Sequence, residues 1–139
     1  MSVAVAHQIN KASDIVLAAA VAEAAYRGTS LVVLHVVTSK DLDSEEVLRQ
    51  GIGELVATAV AAQGAGDLAW EVQVAASEDS SIDHTAGAIL DAVERAGADL
   101  LVIGARRRSP VGKAFLGSVT QEVLLDSAVP VLVVKASGS

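Results

Sequence analysis

The run LVVLHVV at residues 31–37 decides how this chain folds. Its apolar side chains do not alternate with polar ones, so neither face of the strand they form can be left in water. That pattern belongs to an interior strand of a parallel sheet, covered by helices on both sides. A parallel neighbour has to be reached by a crossover connection, so the flanking sequence must supply helices. It does so in both directions.

Upstream, SVAVA at residues 2–6 reads as a first strand, followed by a helical pattern over residues 13–27. Ser13 can accept from the orphan amides of that helix, and Gly28 offers a left-handed stop. The helix is rich in alanine, hence thin, and it can pack closely. Downstream, Asp43 and Glu46 have capping-box spacing for a second helix over residues 44–63. Gly51 and Gly53 each weaken it by about 1 kcal/mol relative to alanine, so a break near Gly51 is expected.

The alternation then continues. Residues 64–67 form a turn, residues 68–75 a peripheral strand, and a third helix ends at Gly97. LLVI at residues 100–103 is a second buried strand. Ser118 begins a fourth helix with Gln121 at capping-box spacing, Pro130 ends it, and VLVVK at residues 131–135 is the last strand. Strands alternating with helices give an α/β domain with a parallel sheet, and 139 residues, 52% of them apolar, suffice for one core. Residues 136–139 read as a loose tail.

Between the fourth strand and the fourth helix lies GARRRSPVGKAFLGSVT, residues 104–120, with three arginines and a lysine in a chain of net charge −7. It is not a Walker loop. Arg107 stands where the first glycine would be needed, and Ala114 follows Lys113 where a metal-binding hydroxyl is required. The stretch is nevertheless an anion site by geometry. Free amides at Ser118, Val119 and Thr120 would open the helix at its positive end, just beyond a strand terminus at Gly104.

The spacing Gly104, two residues, position 107, nine residues, Gly117-Ser118 resembles the nucleotide loop of the universal stress proteins, as do AGADLLVIG before it and VTQEVLLDSAVPVLVVK after it. The resemblance covers nearly the whole chain. It implies a single domain over residues 1–135, a three-layer, open, five-stranded parallel sheet of order 3-2-1-4-5, homodimerisation, and a role in sensing or regulating stress. It also implies a site for ATP or AMP, with or without magnesium, in which Val36 and Ile103 lie near the adenine. Gly104, Gly117, Ser118, Val119 and Thr120 would meet the phosphates.

Two positions depart from the family's pattern. Arg107 replaces its middle glycine, where a guanidinium could contact a phosphate instead. Gln8 stands where nucleotide-binding members usually carry an aspartate, keeping hydrogen-bonding atoms but losing the charge. Two readings therefore stay open: an adenine-nucleotide-binding stress regulator, and a homodimeric module with a degenerate pocket that acts through protein partners. Any ATP hydrolysis would be slow.

Composition narrows the other classes. A net charge of −7 and a single Tyr26, Trp70 and Phe115 argue against nucleic-acid binding. The apolar runs are far shorter than a membrane span. No leader is evident and there is no cysteine, which together fit a soluble cytoplasmic protein. Ser109 and Ser118 have no nucleophile-elbow context, so no catalytic residue is assigned. His7, His35 and His84 lack helical metal-ligand spacing. His35 reads as a core or strand-end residue, whereas His7 should border the crevice beyond Gly104. Asp41, Asp43, Glu45 and Glu46 read as helix-start charges, and Trp70 as a ring packed under a helix. The edge strand over residues 131–135 is apolar and needs covering, which points to dimerisation through it.

Overall fold

The computed structural model describes residues 2–7, 13–38, 45–78, 81–105 and 117–135. The strands are β1 (Ser2–His7), β2 (Ser30–Thr38), β3 (Trp70–Ser77), β4 (Leu100–Gly104) and β5 (Val131–Val134). Helices α1 (Ser13–Arg27), α2 (Glu45–Ala62), α3 (Ile82–Ala96) and α4 (Ser118–Asp126) connect them. All the pairings are parallel, and the sheet runs β3-β2-β1-β4-β5. The order reverses between β1 and β4, so the topological switch point lies at the carboxyl ends of those two strands.

The strand period divides the apolar residues into two cores. Val3 and Val5 of β1, Leu31 and Val33 of β2, and Leu100 and Val102 of β4 face one way, onto Leu17, Ala20, Val21 and Ala24 of α1 and Ile52, Val56 and Val60 of α2. Ala4, Ala6, Val32, Leu34, Leu101 and Ile103 face the other way, onto Ala86, Ile89, Ala92 and Val93 of α3 and Val123 of α4. β2 therefore buries both faces, as its unbroken apolar run requires. Leu31, Val33 and Leu34 are at most 1% exposed.

Several local expectations hold at the level of single residues. Gly28 and Gly97 adopt φ of 66° and 64°, the left-handed conformation that ends a helix, and the Gly97 amide donates back to Glu94 O. Trp70 packs at the α1/α2 core, its ring 3.8 Å from where a β-carbon on Gly53 would stand. That is ordinary van der Waals contact, so the ring packs over this turn of α2 without requiring a glycine there.

Other expectations are corrected. α2 runs unbroken from Glu45 to Ala62, because Ile52, Val56 and Val60 anchor it across both glycines. Tertiary packing of one face outweighs the propensity penalty. β3 begins at Trp70 rather than residue 68, since Leu68 still closes a turn onto Ala65 O. α4 stops at Asp126, before Pro130 can act, where Ser127 turns the chain by donating to Val129 O at 2.7 Å.

The two sheet edges differ. On β3, Arg49 reaches over from α2 and donates to Val72 O at 2.7 Å while pairing with Glu45, so a charge lies against that edge strand. On β5, Leu132 is 37% exposed, and Leu125 near the end of α4 is 85% exposed. Among the described residues, no helix is long and apolar enough to cross a membrane.

Candidate functional site at the carboxyl end of the sheet

The site is built where β4 stops and α4 starts. Gly117 is the N-cap of α4, with an extended backbone at φ −69° and ψ 164°, and as a glycine it makes no side-chain cap hydrogen bond. The first closed turn is the bond from Gln121 N–H to Gly117 O at 2.9 Å. The amides ahead of it, on Ser118, Val119 and Thr120, belong to the orphan donors that every helix start leaves. The expected Ser118/Gln121 capping box does not form. Gly117 takes the cap position, so Ser118 becomes the first helical residue and its hydroxyl is one position too late. Those amides therefore stay at the positive end of the helix with no side-chain oxygen from Gly117 over them.

Thr120 fixes this helix start in place. Its hydroxyl donates to Gly104 O, the last carbonyl of β4, at 3.3 Å, and the residue is only 6% exposed. What Thr120 can offer a ligand is its amide, because its side chain already holds α4 against the strand. Gly104 has a packing role as well: a β-carbon there would stand 2.8 Å from Val16 Cγ2 of α1. The glycine at this strand end lets α1 close over the switch point.

The remaining expected residues fall into two groups. Ile103 is buried in the α3/α4 core, with half-buried Val36 of β2 and Val119 of α4 packed against it, so these three share one face of the sheet. Gln8, Arg107 and the rest of the basic stretch over residues 106–116 lie outside the described residues, as do Asp41 and Asp43.

A second feature of this end of the sheet is not visible in the sequence spacing. His7 and His35 are register partners at the ends of β1 and along β2. Their Nδ1 atoms lie 3.4 Å apart, and His35 Nδ1 is 3.2 Å from His7 O. A carbonyl only accepts, so His35 carries its proton on Nδ1 and His7 Nδ1 presents a lone pair. Burial, and then the proximity of His35, lower the His7 pKa to about 4 against the opposing pull of Asp14. Burial also lowers that of His35, partly offset by its bond to the His7 backbone. Both rings are neutral at neutral pH.

A family model described as the universal stress protein family matches residues 1–135. Among curated proteins, a universal stress protein of Mycolicibacterium smegmatis is 54% identical over 50 residues, which are 36% of this chain and 38% of that protein's length. Among solved structures, a universal stress protein from Archaeoglobus fulgidus superposes with a TM-score of 0.72 at 24% identity, covering 96% of this chain and 97% of the other. A structure of the universal stress protein from the same organism in complex with dAMP gives a TM-score of 0.68 at 21% identity, covering 96% of each chain. At these identities the superpositions speak for the fold.

Proposed function

Since the chain belongs to the universal stress protein family over residues 1–135, we propose that it binds an adenine nucleotide at the carboxyl end of its sheet and uses it as a regulatory ligand. One observation carries this reading. The start of α4, whose N-cap glycine brings no capping side chain, is locked by Thr120 beside the β4 terminus, at the point where strand order reverses. Orphan amides and the helix dipole favour a phosphate there, and a fold neighbour is described in complex with dAMP. In this reading Ser118, Val119 and Thr120 give their amides to the phosphates. Gly104 and Gly117 shape the approach, Val36 and Ile103 lie on the adenine side, and Gln8 and Arg107 supply further polar contacts.

AMP and ATP are both candidates, with magnesium optional. The nucleotide is held rather than consumed, with any hydrolysis slow, and the protein works in the cytoplasm. It acts as a homodimer joined through residues 131–135. The β5 edge supports that choice, because exposed Leu132 leaves it apolar while Arg49 lays a charge against β3.

Equilibrium dialysis against AMP and ATP, with and without magnesium, tests the reading. Saturable binding of either nucleotide is expected, and none at millimolar concentration discards it. The second reading, a module with a degenerate pocket working through protein partners, is favoured by Arg107 and Gln8 at two pattern positions. It predicts that Arg107→Gly creates or strengthens nucleotide binding. An existing affinity that is lost in Arg107→Gly makes the arginine a phosphate ligand and ends that reading.

A further inference from the structure

The nucleotide reading leaves the imidazoles of His7 and His35 unused. We propose that this pair is an acid-operated latch at the carboxyl end of the sheet. With His7 neutral it ties the end of β1 to β2, and a proton on His7 frees that end while the rest of the fold stays closed. The proposal stands on its own geometry and does not depend on nucleotide binding.

The closed state follows from counting donors. The His35 Nδ1–H is shared between His7 O at 3.2 Å and the His7 Nδ1 lone pair at 3.4 Å. The proton of neutral His7 is then on Nε2, a buried atom with no hydrogen-bond partner, in a residue only 5% exposed. A second proton, on His7 Nδ1, would point at the His35 N–H, and neither N–H of the resulting cation would have an acceptor. If His35 turned a lone pair toward that proton instead, His7 O would lose its donor. Either way the clamp across the strand ends breaks. A proton on His35 does no such harm, because it enters at Nε2 of a half-buried ring and leaves the Nδ1–H in place.

The register confines the opening. β1 ends at His7, the last of six partners along β2, and its pairing with β4 already stops at Ala6↔Ile103. β2 runs on past His35 and stays held by β3 as far as Thr38↔Ser77. What is freed is the end of β1, not the core behind it, where Val3, Ala4 and Val5 are at most 1% exposed. A counter-charge for the open state is at hand. Strand alternation puts both rings on the α1/α2 face with Val5 and Val33. Among the described residues two charges act on His7: His35 of β2, which opposes its protonation, and the exposed Asp14 of α1, which favours it. α2 brings Glu45 and Arg49, already paired with each other, and β4 ends in uncharged Gly104 with Ala105 after it. Burial, then His35, against Asp14, lower the His7 pKa to about 4, so the latch is closed at neutral pH.

NMR of the histidine rings, recorded with backbone amide exchange from about pH 7 down to about pH 4, tests the proposal. At neutral pH His35 should show the Nδ1–H tautomer and His7 the Nε2–H tautomer. Acid should charge His35 first, with the backbone unchanged. As His7 takes up its proton, exchange at residues 6–7 and 35–36 should quicken about tenfold or more, after correction for intrinsic rates, while Val3 and Val102 keep their protection. His7→Gln should abolish this opening, and Asp14→Asn, at an exposed position, should move it to lower pH. Circular dichroism reports whether each variant folds; if His7→Gln does not, Asp14→Asn decides alone. Opposite tautomers at neutral pH overturn the proposal. So do a strand end unchanged as His7 titrates, a whole sheet that opens in the same step, and an opening that keeps its pH in Asp14→Asn or persists in folded His7→Gln.

Discussion

At the scale of the residue, Gly104 carries an expectation that follows from a single contact. A β-carbon placed 2.8 Å from Val16 Cγ2 forces a β-branched side chain in a packed helix to give way. Gly104→Ala should lower stability by about 1–3 kcal/mol in urea denaturation, the usual range for overpacking. Adding Val16→Ala should restore part of it. A Gly104→Ala protein as stable as wild type would show that α1 does not press on the strand end.

The histidine pair makes a second expectation at this scale, with a definite sign. His7 takes up a proton near pH 6.5 when unfolded but only near pH 4 when folded. Between those values the unfolded chain binds more protons, so stability is full above about pH 6.5 and falls as the pH drops toward 4. His35, shifted in the same direction, adds to the loss. Denaturation midpoints measured from about pH 7 down to about pH 4.5 should decline, and His7→Gln should flatten the decline. Little of this was readable beforehand. His7 was placed at the crevice from its position after a strand, but its partner was hidden because sequence spacing announces side chains on one helix, not neighbours on two strands 28 residues apart.

At the scale of the element, the helices separate propensity from packing. Gly51 lies on the exposed face of α2 with no atom within 4 Å of a would-be β-carbon, while Gly97 holds a left-handed φ of 64°. Gly51→Ala should therefore stabilise by about 0.5–1 kcal/mol. Gly97→Ala should destabilise by about 1–2 kcal/mol, since a β-carbon strains that conformation. Thermal melts of the two variants should move in opposite directions. The strands and most of the helices were legible because their periods are set by burial, and Gly28 and Gly97 marked helix ends by a backbone demand only glycine meets cheaply. What misled was local: Gly51 and Gly53 argued for a break that Ile52, Val56 and Val60 override, and Ser118 resembled a cap although Gly117 holds that place. Both errors come from weighing a few residues where a whole face or a preceding turn decides.

At the scale of the whole molecule, the sheet's two edges and its switch point are the features that function must use. Light scattering should find a dimer at micromolar concentration, and Leu132→Lys should shift it toward monomer, because a charge would then sit on the exposed apolar edge. A wild-type monomer would remove β5 from the account. The central claim concerns the amides at the start of α4, and backbone amide NMR reads them directly. Titration with AMP should move the Ser118, Val119 and Thr120 signals saturably, whereas adenosine, which lacks the phosphate, should leave them in place. Signals unmoved by AMP, or moved equally by adenosine, would contradict the assignment of this helix start as the phosphate site.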